Sequence, residues 1–169
     1  MRSAFTQTGL RFLWISVLVV LLDQWTKQLV LANIDLYQAI EITGFFNLTY
    51  VRNYGAAFSF LHDAGGWQRW FFTAIAAVVS VLILRWLKQS PREHVLLPVS
   101  FSLILGGALG NVYDRLIHGF VVDFIDVYYQ QWHWPAFNLA DSAICVGAVL
   151  LVWDMFRPEA QQNQEKAHD

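Results

Sequence analysis

Charged residues are scarce in this 169-residue chain: Asp, Glu, Lys and Arg make up 14% of it, whereas hydrophobic residues make up 56%. An ordinary soluble domain carries roughly a quarter charged residues, so a typical cytosolic domain is excluded. The apolar residues are concentrated into four nearly uncharged segments of membrane-spanning length instead of being spread over amphipathic faces. The sequence therefore predicts a polytopic membrane protein.

Cysteines and basic runs are also lacking. The single cysteine, Cys145, cannot form an internal disulfide, and no Cys/His cluster has the spacing of a zinc site. The 11 basic and 13 acidic residues give a net charge of −2, with no basic run that could follow a phosphate backbone. These absences argue against a disulfide-stapled fold, a metal site and a nucleic-acid partner.

The four apolar segments predict membrane helices at about residues 12–32, 67–84, 95–113 and 136–153. Arg2 and Arg11 precede the first apolar run as in a signal peptide, but Asp23 and Gln24 follow where a small-residue cleavage site would stand. We therefore expect an uncleaved first helix. Seven basic residues fall at the N-terminus, the second connection and the C-terminus, against four on the other side, which places both termini in the cytoplasm.

Segments 33–66 and 115–135 then face outward. The first of them is too long and too aromatic for a simple linker, and the weak alternation at 46–51 predicts a short strand or hairpin on the membrane surface. The expected organisation is one four-span membrane domain over residues 1–157, followed by a mobile, polar cytoplasmic tail at 158–169.

Polar residues within the spans fall at one depth. At 1.5 Å per residue, Asp23, Lys27, Asn111 and Asp141 lie about 18 to 25 Å from the cytoplasmic boundary. Because a charge inside a span costs roughly 2.5–3.5 kcal/mol, such a layer indicates a buried polar site just inside the outer leaflet.

Several of these polar groups have a structural interpretation. Asp23 and Lys27 are four residues apart on one helical face, so they form either a neutralising ion pair or a direct contact with substrate. Asp114 and Arg115, at a helix end, are expected to anchor the loop that follows.

Small residues at a spacing of four predict close helix packing. These pairs are Gly106 with Gly110 and Ala143 with Gly147. Cys145 is expected to be buried among them as a small, inert packing residue.

Two carboxylates resist a purely structural interpretation: Asp123, in the apolar stretch 120–125, and Asp141, at the outer end of the fourth helix. Helix capping could explain Asp141 but not Asp123. If the apolar stretch folds back as a loop over the helix end, the two carboxylates could share a water, and their repulsion would keep one protonated near neutral pH. That is aspartyl protease chemistry, and Asp126, three residues on, remains an alternative to Asp123.

Other peptidase signatures are missing: there is no His-Glu-x-x-His, no Gly-x-Ser-x-Gly and no Ser-x-x-Lys. His118 and His133 are expected to be interfacial. A small proton-coupled transporter or channel is the rival function, since charged residues in membranes also line ion pathways. It is disfavoured because the inner half of each helix is apolar and no internal repeat is visible. A structural assembly subunit would leave Asp123 without a purpose.

Five segments form a specific set over about residues 10 to 157: DQWTK at 23–27, RNYGAAFS at 52–59, GGALGNVYDR at 106–115, VDF at 122–124 and FNLADS at 137–142. In this order and spacing they resemble the bacterial lipoprotein signal peptidase family, also called signal peptidase II.

The resemblance implies an integral membrane, mainly α fold with four transmembrane helices, a small extracytoplasmic β element and a short surface helix. It implies an aspartyl endopeptidase of the bacterial cytoplasmic membrane that removes the signal peptide from diacylglyceryl-modified prolipoproteins just before the lipidated cysteine, with no cofactor or metal. Lipid-modified prolipoproteins and membrane lipids would be its partners, and the protein would act as a monomer.

By the same resemblance, Asp123 and Asp141 match the catalytic pair. The positions that match substrate-binding or supporting residues are Asn53, Gly55, Asn111, Asp114, Arg115, Asn138, Asp23 and Lys27. Residues 53–61 are hypothesised to form part of a lid over the bound peptide, since the small residues at 55–57 allow close backbone approach.

Overall fold

The structure is a computed structural model that describes residues 7–55 and 66–157. A short 3-10 helix, Gly9–Phe12, leads into α1 (Leu13–Asn33). The other helices are α2 (Trp67–Gln89), α3 (Leu96–Ile117) and α4 (Leu139–Met155). Three helical stretches, Gly9–Asn33, Trp67–Gln89 and Leu96–Ile117, are long and apolar enough to cross a membrane. The predicted membrane character is confirmed, whereas α4 has only 17 residues and the count of four spans stays a prediction.

Helix α3 is the centre of the bundle and packs against α1, α2 and α4. Glycines allow these close approaches. A Cβ added at Gly106 would lie 2.9 Å from the backbone of Ser16 on α1, and one at Gly147 would lie 2.8 Å from the carbonyl of Ser100. A Cβ at Gly107 would overlap the carbonyl of Ala140, at the start of α4. Small residues therefore set the helix separations, as the sequence predicts.

A four-stranded antiparallel sheet lies at the end of the bundle where α1 ends and α4 begins. Its order is β1 (Ala39–Thr43), β2 (Phe46–Asn53), β3 (Val121–Tyr129), β4 (Trp132–His133). The strand predicted at 46–51 is confirmed as part of β2. The expectation of a loop at 120–125 is wrong, because residues from Val121 onward form β3, with Asp123 opposite Val51. The first four residues of β3 are all buried, so this strand lacks the alternating pattern that would reveal it.

The sheet is fixed to the bundle by an apolar cluster at the end of α1. Val30 of α1 and Ile34, directly after that helix, pack there with Tyr50 of β2 and with Val122 and Phe124 of β3. Burial of these side chains fixes the height of β3 above the helices, and with it the position of Asp123.

Four further expectations concern residues at the periphery of the fold. Cys145 is exposed on the outside of α4, so the prediction that it is buried is wrong. Because α4 is apolar on every side, its sequence does not show which face packs inward. The described part of the first outer segment, residues 33–55, contains no short surface helix after α1. The rest of that segment, residues 56–65, lies outside the described residues, and so does most of the predicted lid at 53–61. The predicted tail at 158–169 also lies outside them.

Candidate active site

Asp123 lies on β3 with its side chain turned toward the helix ends, and it is only 2% exposed. Both carboxylate oxygens accept hydrogen bonds from amides. Asn53 Nδ2 donates to Oδ2 at 2.9 Å and Asn138 Nδ2 donates to Oδ1 at 2.7 Å. Asn53 is oriented in turn by the backbone N–H of Gly55, which donates to its Oδ1 at 3.0 Å. The carboxylate is therefore held on both sides.

Asp141 lies in the first turn of α4, where Asn138 is the N-cap residue. Asn138 Oδ1 accepts from the Asp141 N–H at 2.9 Å, while Asp141 Oδ2 accepts from the Asn138 N–H at 3.3 Å. This reciprocal capping box satisfies helix donors that would otherwise be unpaired. Asp141 Oδ1 is not used by the cap and accepts from Asn111 Nδ2 of α3 at 2.7 Å. The capping role that the sequence allows for Asp141 is therefore present, and it leaves one oxygen directed toward α3.

Two asparagines join the carboxylates. Asn138 Nδ2, which donates to Asp123, is also 3.2 Å from Asn111 Oδ1, and Asn111 Nδ2 donates to Asp141. The result is a continuous hydrogen-bonded path from β3 through α4 and α3 back to α4. The fold thus brings together Asp123 and Asp141, which are 18 positions apart in the sequence.

The pKa of Asp123 is raised from 3.8, its value in solvent, to about 7. Burial is the largest cause and the negative charge of Asp141 the second, while the hydrogen bonds from Asn53 and Asn138 act in the opposite direction. A carboxyl group whose pKa lies near neutral, next to a second carboxyl group, suits general acid–base catalysis.

Arg115 places a cation beside the pair. Its guanidinium interacts electrostatically with Asp141 and Asp123, donates to the carbonyl of Asn111 at 3.2 Å and lies over the ring of Phe72. Arg115 belongs to α3, which continues to Ile117, so the prediction that Arg115 belongs to the outer segment at 115–135 is wrong.

A buried ion cluster lies beside the asparagines. Lys27 is 1% exposed, and its Nζ is 2.8 Å from Asp23 Oδ2, 2.9 Å from Asp114 Oδ2 and 3.0 Å from Asn111 Oδ1. The ammonium thus matches its three donors to three acceptors. The structure contains the Asp23–Lys27 ion pair that the sequence favours and adds Asp114 to it.

The two acids of the cluster also bind backbone. Asp23 Oδ1 accepts from the N–H of Ala140 at 2.9 Å, and Asp114 Oδ2 accepts from the N–H of Val122 at 3.0 Å. Ala140 directly precedes Asp141, and Val122 directly precedes Asp123. The cluster therefore fastens both segments that carry the carboxylates, including the segment after α3 that Asp114 was expected to anchor.

A model of a known protein family matches most of the chain. The family model described as signal peptidase (SPase) II matches residues 15–157, which includes every residue of the site described above. The chain belongs to the signal peptidase II family. It is therefore a membrane hydrolase of the aspartic peptidase class.

Relatives and solved structures support the assignment. The chain is 64% identical to the lipoprotein signal peptidase of Alteromonas mediterranea, over 98% of this chain and 91% of that protein. It is 62% identical to the one from Pseudoalteromonas atlantica, over 97% of this chain and the whole of that protein. Two bacterial membrane enzyme structures obtained by the in meso method superpose with TM-scores of 0.76. They are 32% and 30% identical, cover 86% and 90% of this chain, and are themselves covered to 90% and 98%.

Asp126, the alternative to Asp123, lies elsewhere in this signal peptidase. Residues three apart on a strand point to opposite faces, so Asp126 is turned away from Asp123. Its carboxylate is 2.8 Å from His133 Nδ1 and accepts from Asn47 Nδ2 at 2.8 Å. These contacts join β2, β3 and β4. Two histidines, His118 and His133, were expected to be interfacial. His133 pairs with Asp126, and His118 stacks on the ring of Phe120.

One polar residue of the site, Gln24, is not among the residues predicted from the sequence. Gln24, between Asp23 and the exposed Trp25, donates to Asp114 Oδ1 at 2.8 Å and contacts the ion cluster. A polar residue just past the middle of an apolar helix was the available signal, since such a side chain needs partners inside the bundle. In the described parts of the chain, no group of three or more His, Cys, Asp or Glu side chains could hold a metal ion.

The raised pKa of Asp123 predicts a pH-dependent effect of Asp123→Asn on stability. Between about pH 4 and pH 7 the folded state keeps a proton that the unfolded chain has released, so wild-type stability falls as pH rises through this window. The variant lacks that group. We therefore expect its Tm relative to wild type to increase between pH 4.5 and pH 8, as measured by thermal unfolding in detergent micelles.

Asp35→Asn, at an exposed position after α1, is the matched control and should show no such trend. A Tm difference for Asp123→Asn that is constant across this range would contradict the shift.

Proposed function

We propose that this signal peptidase cleaves diacylglyceryl-modified prolipoproteins just before the lipidated cysteine, with Asp123 and Asp141 as its catalytic dyad. The observation that carries the proposal is the hydrogen-bonded path that joins Asp123, Asn138, Asn111 and Asp141 at the end of the helix bundle. The relatives supply the substrate class, since both are lipoprotein signal peptidases.

In the resting enzyme the two carboxyl groups of the dyad hold one proton between them. Ionised Asp141 takes a proton from a water molecule as the water oxygen attacks the scissile carbonyl carbon, and protonated Asp123 gives its proton to the carbonyl oxygen. When the tetrahedral intermediate collapses, Asp141 returns its proton to the departing amine and Asp123 recovers a proton from the hydroxyl. The raised pKa of Asp123 supports this assignment of the resting proton. No covalent intermediate forms.

The surrounding amides orient the dyad. Asn53, supported by Gly55, and Asn138 fix the carboxyl group of Asp123, while Asn111 fixes that of Asp141. Arg115 stabilises negative charge that develops between them. Asp23, Lys27 and Asp114 support the site from beneath without reaching the reacting atoms.

The enzyme would lie in the bacterial inner membrane with the sheet outside and both termini in the cytoplasm. Helix α4 spans about 26 Å at 1.5 Å per residue, the lower limit for a bilayer core, and would be the fourth span. The dyad lies at the sheet end of the helices, so the scissile bond could be reached while the lipid chains of the cysteine remain in the outer leaflet. Its action as a monomer is part of the same proposal.

The test compares two substrates with purified enzyme in detergent or lipid. A diacylglyceryl-modified prolipoprotein should be converted to a product that begins at the lipidated cysteine, as mass spectrometry identifies. The same prolipoprotein without the lipid should remain uncut. Equal cleavage of both forms, or a product that begins at another residue, would contradict the proposed specificity.

A further inference from the structure

We propose that Gln24 is a positioning residue of this reaction: it fixes the separation of Asp123 and Asp141 by bridging the two buried acids that hold the segments on which they lie. The inference rests on the proposed function of the dyad. Gln24 lies on α1, which contributes no carboxylate to the dyad.

The amide of Gln24 has one possible orientation. Its Nε2 is 2.8 Å from Asp114 Oδ1, 3.1 Å from Asp23 Oδ2 and 3.2 Å from the carbonyl oxygen of Gly110. All three neighbours are acceptors, so only the NH₂ group can face them. Gln24 therefore donates into the ion cluster and adds no charge to it.

Gln24 binds the oxygen of Asp114 that Lys27 does not contact. Lys27 contacts Oδ2 of Asp23 and Oδ2 of Asp114, and the N–H of Val122 also binds Asp114 Oδ2. Asp114 Oδ1 receives its hydrogen bond from Gln24. Without that bond the Asp114 carboxylate could rotate about its last torsion and still satisfy Lys27, and its hold on β3 would loosen.

The consequences reach both halves of the dyad. Asp114 holds Val122, whose neighbour is Asp123, and Asp23 holds Ala140, whose neighbour is Asp141. Gln24 contacts both acids, so it couples the start of β3 to the start of α4. A small change in the separation of two acid–base groups alters both the rate and the splitting of their titrations.

The test is Gln24→Leu against the matched control Gln28→Leu. Gln28 is one turn further along α1 and exposed, so the same chemical change occurs outside the cluster. We expect Gln24→Leu to lower kcat by about 10- to 100-fold with KM within about twofold, because the dyad and not the substrate contacts is disturbed. The pH–rate profile should also shift. Gln28→Leu should match wild type in kcat, KM and pH profile.

Folding is checked by thermal unfolding of each purified variant. If Gln24→Leu does not yield folded enzyme, Gln24→Asn replaces it, with Gln28→Asn as its control, because the shorter amide cannot reach Asp114 and Gly110 together. Loss of rate through KM alone, or a reduced kcat with an unchanged pH profile, would overturn the positioning role.

Asp123→Asn, assayed in the same series, separates the positioning role of Gln24 from the catalytic role of the dyad. Equal rates for the Gln24 variant and its control, alongside an inactive Asp123→Asn, would overturn the role of Gln24 and leave the dyad standing. An active Asp123→Asn would overturn the proposed dyad, and the inference about Gln24 with it.

Discussion

Asparagine in place of either Asp123 or Asp141 is expected to lower kcat for prolipoprotein cleavage by about 10⁴-fold. An amide matches a carboxyl group in size but can neither take a proton from water nor give one to the scissile carbonyl. In the proposed mechanism each carboxyl group serves as acid in one half of the cycle and as base in the other, so neither can compensate for the other. Release of the signal peptide by purified variants, at substrate concentrations above and below KM, is the measurement.

Asp126→Asn is the matched control, because Asp126 lies on the same strand and bonds to Asn47 and His133 on the opposite face. It should cleave at close to the wild-type rate. The double variant of Asp123 and Asp141 should be no slower than the single variants, since residues that act as one unit lose their function together. A folded Asp123→Asn or Asp141→Asn variant with normal kcat would end the aspartyl mechanism for this chain.

Hydropathy predicts the membrane helices well. The segments expected at 12–32, 67–84 and 95–113 correspond to α1, α2 and α3, whose ends differ by up to five residues. The largest differences are at the ends of α2 and α3, where the helix continues past the apolar run through residues such as Lys88 and Arg115. Hydrogen bonding sustains a helix through polar residues that hydropathy alone excludes from a span.

The sheet is less visible in the sequence. Strand β3 is buried on both faces where it carries Asp123, so its pattern, an apolar run interrupted by that one aspartate, suits a loop, a helix or a strand equally. Pairing with β2, about 70 residues away in sequence, decides the outcome. Such a long-range partner cannot be read from local pattern.

For the site, depth counting brings Asp23, Lys27, Asn111 and Asp141 to one level, and the structure places them within one hydrogen-bonded network with Asp123. Counting gives height along a helix but not direction around it. The bridging position of Gln24 and the outward position of Cys145 both depend on helix rotation, which apolar segments such as α4 do not encode by period.

Replacing Lys27 with methionine is expected to destabilise the protein by about 3–5 kcal/mol, because it removes the cation from a buried cluster and leaves two acids facing each other. Methionine keeps most of the volume, so the loss reports charge and not packing. Cleavage should fall as well, since Asn111 Oδ1 loses its bond from Lys27 and Asn111 orients Asp141. Unfolding free energies in mixed micelles give the first effect, and kcat at a temperature where the variant is folded gives the second.

Lys88→Met, at an exposed position in the last turn of α2, should change the free energy of unfolding by no more than about 0.5 kcal/mol. Adding Asp23→Asn to Lys27→Met should recover part of the lost stability, because one buried charge then lacks a partner where two did before. It should not recover kcat, since the bond from Lys27 to Asn111 is still missing. Stability unchanged by Lys27→Met would mean that the two acids are held by their backbone and Gln24 contacts alone, and Lys27 would then have no part in positioning the dyad.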